Sequence, residues 1–293
     1  MAMALDDRLG LNVHRDQWAT PALLKSYEAA GFAWVQVHTP PKEMLAQREP
    51  ALRHARALRA GLATTGLRLV LHGPDDLSAG TEAGDRALDG LLDYAREAGA
   101  ELVAYHGLNV TVGDEAPARA AAEEVALRRA AGRAEALGVT LAVENLAPVW
   151  PGTDRLCHDA LAVRDLVRRV DSPAVGMLLD LGHAHLMSSI ERHDLATVVR
   201  ACRSEVVLLH VHDNLGARRN DLDQPGIDPV KLDLHLAPGA GCLPWDAVVG
   251  LLRDHDAPLM LEVERSYVSD PSRVRATTLD LLRRGGVAAT AKA

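Results

Sequence analysis

Six side chains able to bind a metal ion each close, or nearly close, a short apolar run: His72, His106, Glu144, Asp180, His210 and Glu262. Three more stand close by. His183 follows Asp180, and Asp233 and His235 lie in a long polar stretch after His210. Carboxylates and neutral imidazoles together suit Zn²⁺, Mn²⁺, Fe²⁺ or Co²⁺, and the lack of thiolates disfavours softer metals. Nine such groups exceed what one ion needs. One to three divalent ions are therefore expected, with a carboxylate such as Glu144 bridging. A lone His or Glu at a strand end is more often a hydrogen-bonded structural residue. Six in the same place on successive runs are not independent accidents, and a shared site explains them better. The other histidines add less. His54, His158, His193 and His255 read as solvated side chains, whereas His14, His38, His185 and His212 lie near the same ends and stay open. Cys242 reads as a small packed residue.

The elements that must carry these groups are legible as eight apolar runs. They are 8–14 (RLGLNVH), 32–38 (FAWVQVH), 67–72 (LRLVLH), 101–106 (ELVAYH), 139–144 (VTLAVE), 175–180 (VGMLLD), 205–212 (EVVLLHVH) and 258–264 (PLMLEVE). Runs this short and apolar suit parallel strands buried on both faces. Amphipathic helices are expected between them, among them 21–30, 116–137 and 159–170. Gly31, Gly99 and Gly138 stand where helix C-terminal caps would fall. Strands alternating with helices eight times predict a closed (β/α)₈ TIM barrel, an α/β fold. An open doubly wound sheet would call for a glycine-rich phosphate loop after the first strand, and LGLNVHRDQW holds no GxGxxG. In a barrel the C-terminal strand ends converge on one mouth, where active sites sit. Residues 213–243, rich in Asp, Gly and Pro, read as a long functional loop after the seventh strand. One domain over 1–293 is expected, its barrel spanning about 8–285 between short frayed tails.

Composition narrows the classes. Hydrophobic residues at 48% and charged residues at 25% are ordinary globular usage, which excludes a disordered or low-complexity chain. No apolar run approaches the roughly 18 residues of a membrane span, and the start MAMALDDRLG lacks a basic segment followed by an apolar core. Three cysteines without a CxxC pair fit reduced thiols, so a cytoplasmic setting and no membrane partner are expected. The net charge of −8 is a poor match to a phosphate backbone.

The segments LAVENL around Glu144, LLDLGHAH around Asp180 and His183, HVHDN from His210, DLHLAPGAG from Asp233 and LEVE around Glu262 resemble the xylose isomerase-like TIM barrels, also called AP endonuclease family 2. The resemblance runs from residue 9 to about 282. It implies a common metal site of isomerases and epimerases at Glu144, Asp180, His210 and Glu262. The endonuclease IV type of the family implies His72, His106, His183, Asp233 and His235 as further ligands of a three-metal cluster, and every one of those positions is filled here.

Two enzyme activities follow. The first is a metal-dependent isomerase or epimerase of a small sugar, sugar phosphate or related polyol. A Lewis-acid cation would chelate adjacent carbonyl and hydroxyl oxygens, and Glu144 and Glu262 would move the proton next to the carbonyl. His183 would hydrogen-bond the substrate. Arg218 or Arg219 would hold a phosphate or carboxylate, although a solvated loop charge is the plainer reading of each. The second is a multinuclear zinc phosphodiesterase, a hydrolase of the endonuclease IV type. Its ligands are present, but Asp75 and Asp76 follow His72, and only Lys42 follows Thr39, Pro40 and Pro41. Aromatic residues make up only 3% of the chain, so wedges for a kinked duplex are scarce. A small-molecule substrate and no duplex DNA are therefore expected. A non-enzymatic scaffold would be expected to lose some ligands, and none is missing. The oligomeric state stays open, a homo-oligomer included.

Overall fold

The computed structural model describes residues 3–148, 152–191, 194–217 and 232–284. Eight parallel strands close into one barrel in sequence order. They are β1 (Leu9–Asn12), β2 (Trp34–His38), β3 (Arg68–His72), β4 (Leu102–Tyr105), β5 (Thr140–Glu144), β6 (Val175–Asp180), β7 (Val206–Val211) and β8 (Leu259–Leu261). Closure is made where Leu9, Gly10 and Leu11 pair with Leu259, Met260 and Leu261. β6 has the expected bounds; the other strands are shorter than the apolar runs, most of all β1 and β8, because pairing stops where the chain turns into the loops at the barrel's ends. The TIM barrel expected from the alternation is the fold observed.

Helices fill the connections and start and stop on local chemistry. The helix Pro21–Ala29 has Pro21 in its first turn, and the Thr20 hydroxyl accepts from Leu23 N–H. Asp159 caps Ala160–Val170 by accepting from Leu161 N–H, so the predicted start at 159 is the cap. Helix Ala116–Leu137 has the predicted bounds. Gly99 and Gly138 follow their helices with φ of 83° and 67°, the left-handed conformation in which a Cβ would meet a steric penalty that glycine avoids. Arg8 is fully buried just ahead of β1, and its guanidinium donates to the carbonyls of Leu252, Arg253 and Ala257. It thereby ties the start of the barrel to the last turn of helix Trp245–Arg253.

Two apolar layers result. The larger packs the helices on the outside of the sheet. A separate cluster of Trp34, Val70, Leu102, Ala104, Ala142, Leu178, Leu208 and Met260 comes from seven different strands, so it fills the lumen. Among the described residues no helix is long and apolar enough to cross a membrane.

Candidate metal centre

Side chains alternate between the two faces of a strand, so residues two apart share a face. On each of these seven strands the last lumen residue is followed two positions later by a polar one. Val70 leads to His72, Ala104 to His106, Ala142 to Glu144, Leu178 to Asp180, Leu208 to His210, and Met260 to Glu262. Trp34 leads in the same way to Gln36. The polar residues thus form the next layer up, toward the C-terminal mouth. The apolar plug below closes the site from beneath and keeps its dielectric low.

At the centre, Glu144, Asp180, His210 and Glu262 are all buried and offer ligand atoms within 4.8 Å of one another. His210 Nδ1 lies 3.1 Å from a Glu144 oxygen, 3.1 Å from a Glu262 oxygen and 3.6 Å from an Asp180 oxygen. Burial opposes a charged His210, yet Glu262 and Glu144 together outweigh it and hold its pKa well above the ordinary imidazole range. Burial would likewise raise the Glu144 and Glu262 carboxyls, but His210 beside them keeps both well below the usual carboxylate range. Three buried carboxylates around one imidazole leave net negative charge in a dry place, which a cation relieves. Glu144 Oε2 is also buried without a hydrogen-bond partner. The donor set fits a divalent ion.

Two further groups flank this one. His72, Asp75 and His106 form the first. Glu144 Oε2 reaches toward it, 3.3 Å from His106 Nε2 and 3.7 Å from His72 Nε2. His183, His212, Asp233 and His235 form the second. Asp180 links it to the centre, since His212 Nε2 lies 3.0 Å from Asp180 Oδ1. Asp233 Oδ2 is 3.1 Å from His183 Nε2 and 2.8 Å from His235 Nε2, while Asp233 Oδ1 is buried and unpartnered. Burial disfavours charge on His235, but the Asp233 carboxylate prevails and lifts it to about 9.

Three of the histidines are held in one way. His72 Nδ1 is 2.8 Å from the Gly73 carbonyl, His183 Nδ1 2.8 Å from that of Asn145, and His235 Nδ1 2.7 Å from that of Glu262. A carbonyl only accepts, so each Nδ1 donates and Nε2 is the ring nitrogen that faces the cluster. This is how metal-bound histidines are oriented by their outer partners.

All nine predicted ligands therefore meet at one mouth. Arg218 and Arg219 lie outside the described residues, as does His193. Four residues of the cluster were not singled out as site residues. Gln36 and His38 share the phase of the inward face of β2, and His212 is two residues from His210, so period-two counting could have found them. Asp75 carries no such signal. It was read only as a charge hostile to DNA, and that charge is matched: Asp75 pairs with Arg15 at 3.2 Å and Asp76 with Lys42 at 2.6 Å. His158 is buried, contrary to its solvated reading, because the turn Leu156–His158 folds it under against Arg155 N–H. Cys242 is exposed on the rim and not packed, with its Sγ 3.6 Å from His185 Nε2.

A cleft of about 300 Å³ opens onto the centre, lined by Asn12, His14, Arg15, His38, His235 and Glu262, among others. His38 packs its ring 4.5 Å from that of His72, and burial pushes its pKa down to about 3, so it is neutral near pH 7.

Comparison with known proteins agrees with the fold. The family model described as xylose isomerase-like TIM barrel matches residues 24–285. No curated protein matches the chain in sequence. Among solved structures, the IOLI protein with a binding zinc atom superposes with a TM-score of 0.71 at 16% identity, covering 96% of this chain and 99% of its own. An L-ribulose 3-epimerase gives 0.69 at 17%, covering 99% and 100%. A xylose isomerase domain protein from Alicyclobacillus acidocaldarius subsp. acidocaldarius gives 0.69 at 21%, covering 95% and 99%.

Proposed function

The chain belongs to the xylose isomerase-like TIM barrel family, and from that premise we propose that it is a divalent-metal-dependent isomerase or epimerase of a small sugar, sugar phosphate or related polyol. The observation that carries this reading is the central group: three buried carboxylates face one imidazole nitrogen, and one of them, Glu262, lines a cleft sized for a small molecule. Glu144, Asp180, His210 and Glu262 would hold the ion, which supplies Lewis acidity to a substrate carbonyl when bound. Glu144 and Glu262 project from non-neighbouring strands, so they approach a substrate carbon from different sides. One takes the proton next to the carbonyl and the other returns it, as inversion of a stereocentre or migration of the carbonyl requires. His235 and His38 line the space and offer hydrogen bonds to hydroxyl groups, and His183 would join them from behind His235, its ring 6.2 Å away. Among the described residues Arg15 is the cation that lines the cleft, so it takes the anion-binding role first considered for Arg218 and Arg219. The apolar plug excludes water from below and protects the carbanion-like transition state from stray protonation.

The test is exchange with solvent. The metal-loaded protein is offered ketoses and ketose phosphates in D₂O, and proton NMR follows the carbon beside the carbonyl. Deuterium should enter there, and Glu144→Gln and Glu262→Gln should each abolish entry. Substrate turnover with no solvent deuterium in product, or with both variants fully active, would refute the assignment.

A second reading, a multinuclear phosphodiesterase, draws on one specific feature. Glu144 and Asp180 each face two of the three ligand groups, as bridging carboxylates do. Hydrolysis of bis(p-nitrophenyl) phosphate that rises with the number of ions bound per chain would favour it. Duplex DNA is disfavoured by the small cleft more than by charge, since Asp75 and Asp76 are neutralised by their partners.

A further inference from the structure

Gln36 is fully buried in the middle of β2 and belongs to the same layer as the candidate ligands. Its amide spans two of them. Nε2 lies 3.0 Å from Glu262 Oε1, and Oε1 lies 2.7 Å from His210 Nε2. The chemistry of the partners fixes the amide's orientation and the hydrogen on His210 Nε2. A carboxylate only accepts, so the amide nitrogen must be the end facing Glu262. The amide oxygen then faces His210, and His210 Nε2 must carry a hydrogen to donate. That makes His210 Nδ1 the nitrogen that faces Glu144, Asp180 and Glu262, the one that would offer its lone pair to an ion held there. His72, His183 and His235 take their orientation from backbone carbonyls. His210 takes its own from a side chain that also holds a second ligand.

We propose that Gln36 is a positioning residue for the central cation: one neutral amide sets the tautomer of His210 and the rotamer of Glu262 together. The inference rests on the reading of Glu144, Asp180, His210 and Glu262 as a metal site. Neutrality matters, because a carboxylate at Gln36 would face Glu262 and repel it, and an apolar residue would leave a buried N–H and a buried carboxylate oxygen without partners. The length matters too. A shorter amide from the same backbone position would reach one ligand and miss the other.

Cobalt titration tests it. The full-length protein is stripped with chelator and titrated with Co²⁺, following heat and the visible absorption bands, with Glu262→Gln marking which step belongs to the central group. The wild type should bind at that step. Gln36→Met, close to glutamine in size but unable to hydrogen-bond, should weaken that step by about 10- to 100-fold and change its bands. The far-ultraviolet circular dichroism should stay as in wild type. Unchanged affinity and bands in a folded Gln36→Met protein would make Gln36 a space filler and overturn the inference alone. A wild type that binds no Co²⁺ would overturn the metal reading beneath it. A measurement on the native chain needs no variant: imidazole ¹⁵N–¹H correlation of the Zn²⁺-loaded protein should place the His210 proton on Nε2. A proton on Nδ1 would refute the proposal whatever the variant does.

Discussion

Gly182→Ala separates local from tertiary reasoning, because the two predict opposite signs. Gly182 sits in the first turn of helix Leu181–Glu191. Helix propensity alone favours alanine over glycine by up to about 1 kcal/mol. The tertiary structure opposes it. A methyl carbon there would lie 2.5 Å from both ring nitrogens of His212 and nearer still to its Cε1. The obstacle is a stiff buried ring, not the end of a flexible chain. His212 must shift, and the shift strains its contact with Asp180, whose oxygens lie 3.0 and 3.1 Å from Nε2. Overpacking costs about 1–3 kcal/mol, and a lost hydrogen bond to a charged group costs about 1.5–3 kcal/mol. The tertiary penalties exceed the propensity gain at either end of their ranges, and the net is a destabilisation of about 1.5–5 kcal/mol. Urea unfolding of the chelator-stripped protein measures it, and ion content after reloading measures the effect on the group containing His212. A variant as stable as wild type, or more so, would show that the His212 seat is not rigid and would refute the reasoning.

Other outcomes follow from the same structure. Asp213→Ala removes the acceptor for the N–H groups of Asn214, Gly239 and Leu243 and the indole N–H of Trp245. Orphaned buried donors cost about 1–3 kcal/mol each, so a loss of at least about 3 kcal/mol is expected in urea unfolding, and a smaller loss would mean that water replaces the carboxylate. Thiol labelling of the native protein at pH 8 should modify Cys242 alone. Burial pushes Cys157 up to about 12 and Cys202 up to about 11, so neither presents thiolate until the chain unfolds; a second native adduct would contradict that burial. Chelation should lower the urea midpoint and Zn²⁺ should restore it. An ion at a hundred times its dissociation constant adds about 2.7 kcal/mol, and identical midpoints with and without metal would argue against a native ion.

The sequence by itself determined the elements. Apolar runs of strand length alternate with amphipathic stretches, caps such as Asp159 and Gly138 mark helix ends, and the count of eight specifies closure. These signals are local, because propensity, capping and periodicity act over a few residues. It also disclosed nine candidate ligands, since the end of a strand is a position that local pattern defines. Which ligands group together was not local. Gln36 meets His210 across 174 residues and Glu262 across 226, and no spacing in the chain encodes that. Asp75 took its place only when loops and strands were packed around a common mouth. The division of the ligands into three groups, the amide that straps two of them and the cleft beside Glu262 come from barrel closure and strand register. Those set which inward-facing side chains meet across the lumen, and only the folded sheet fixes them.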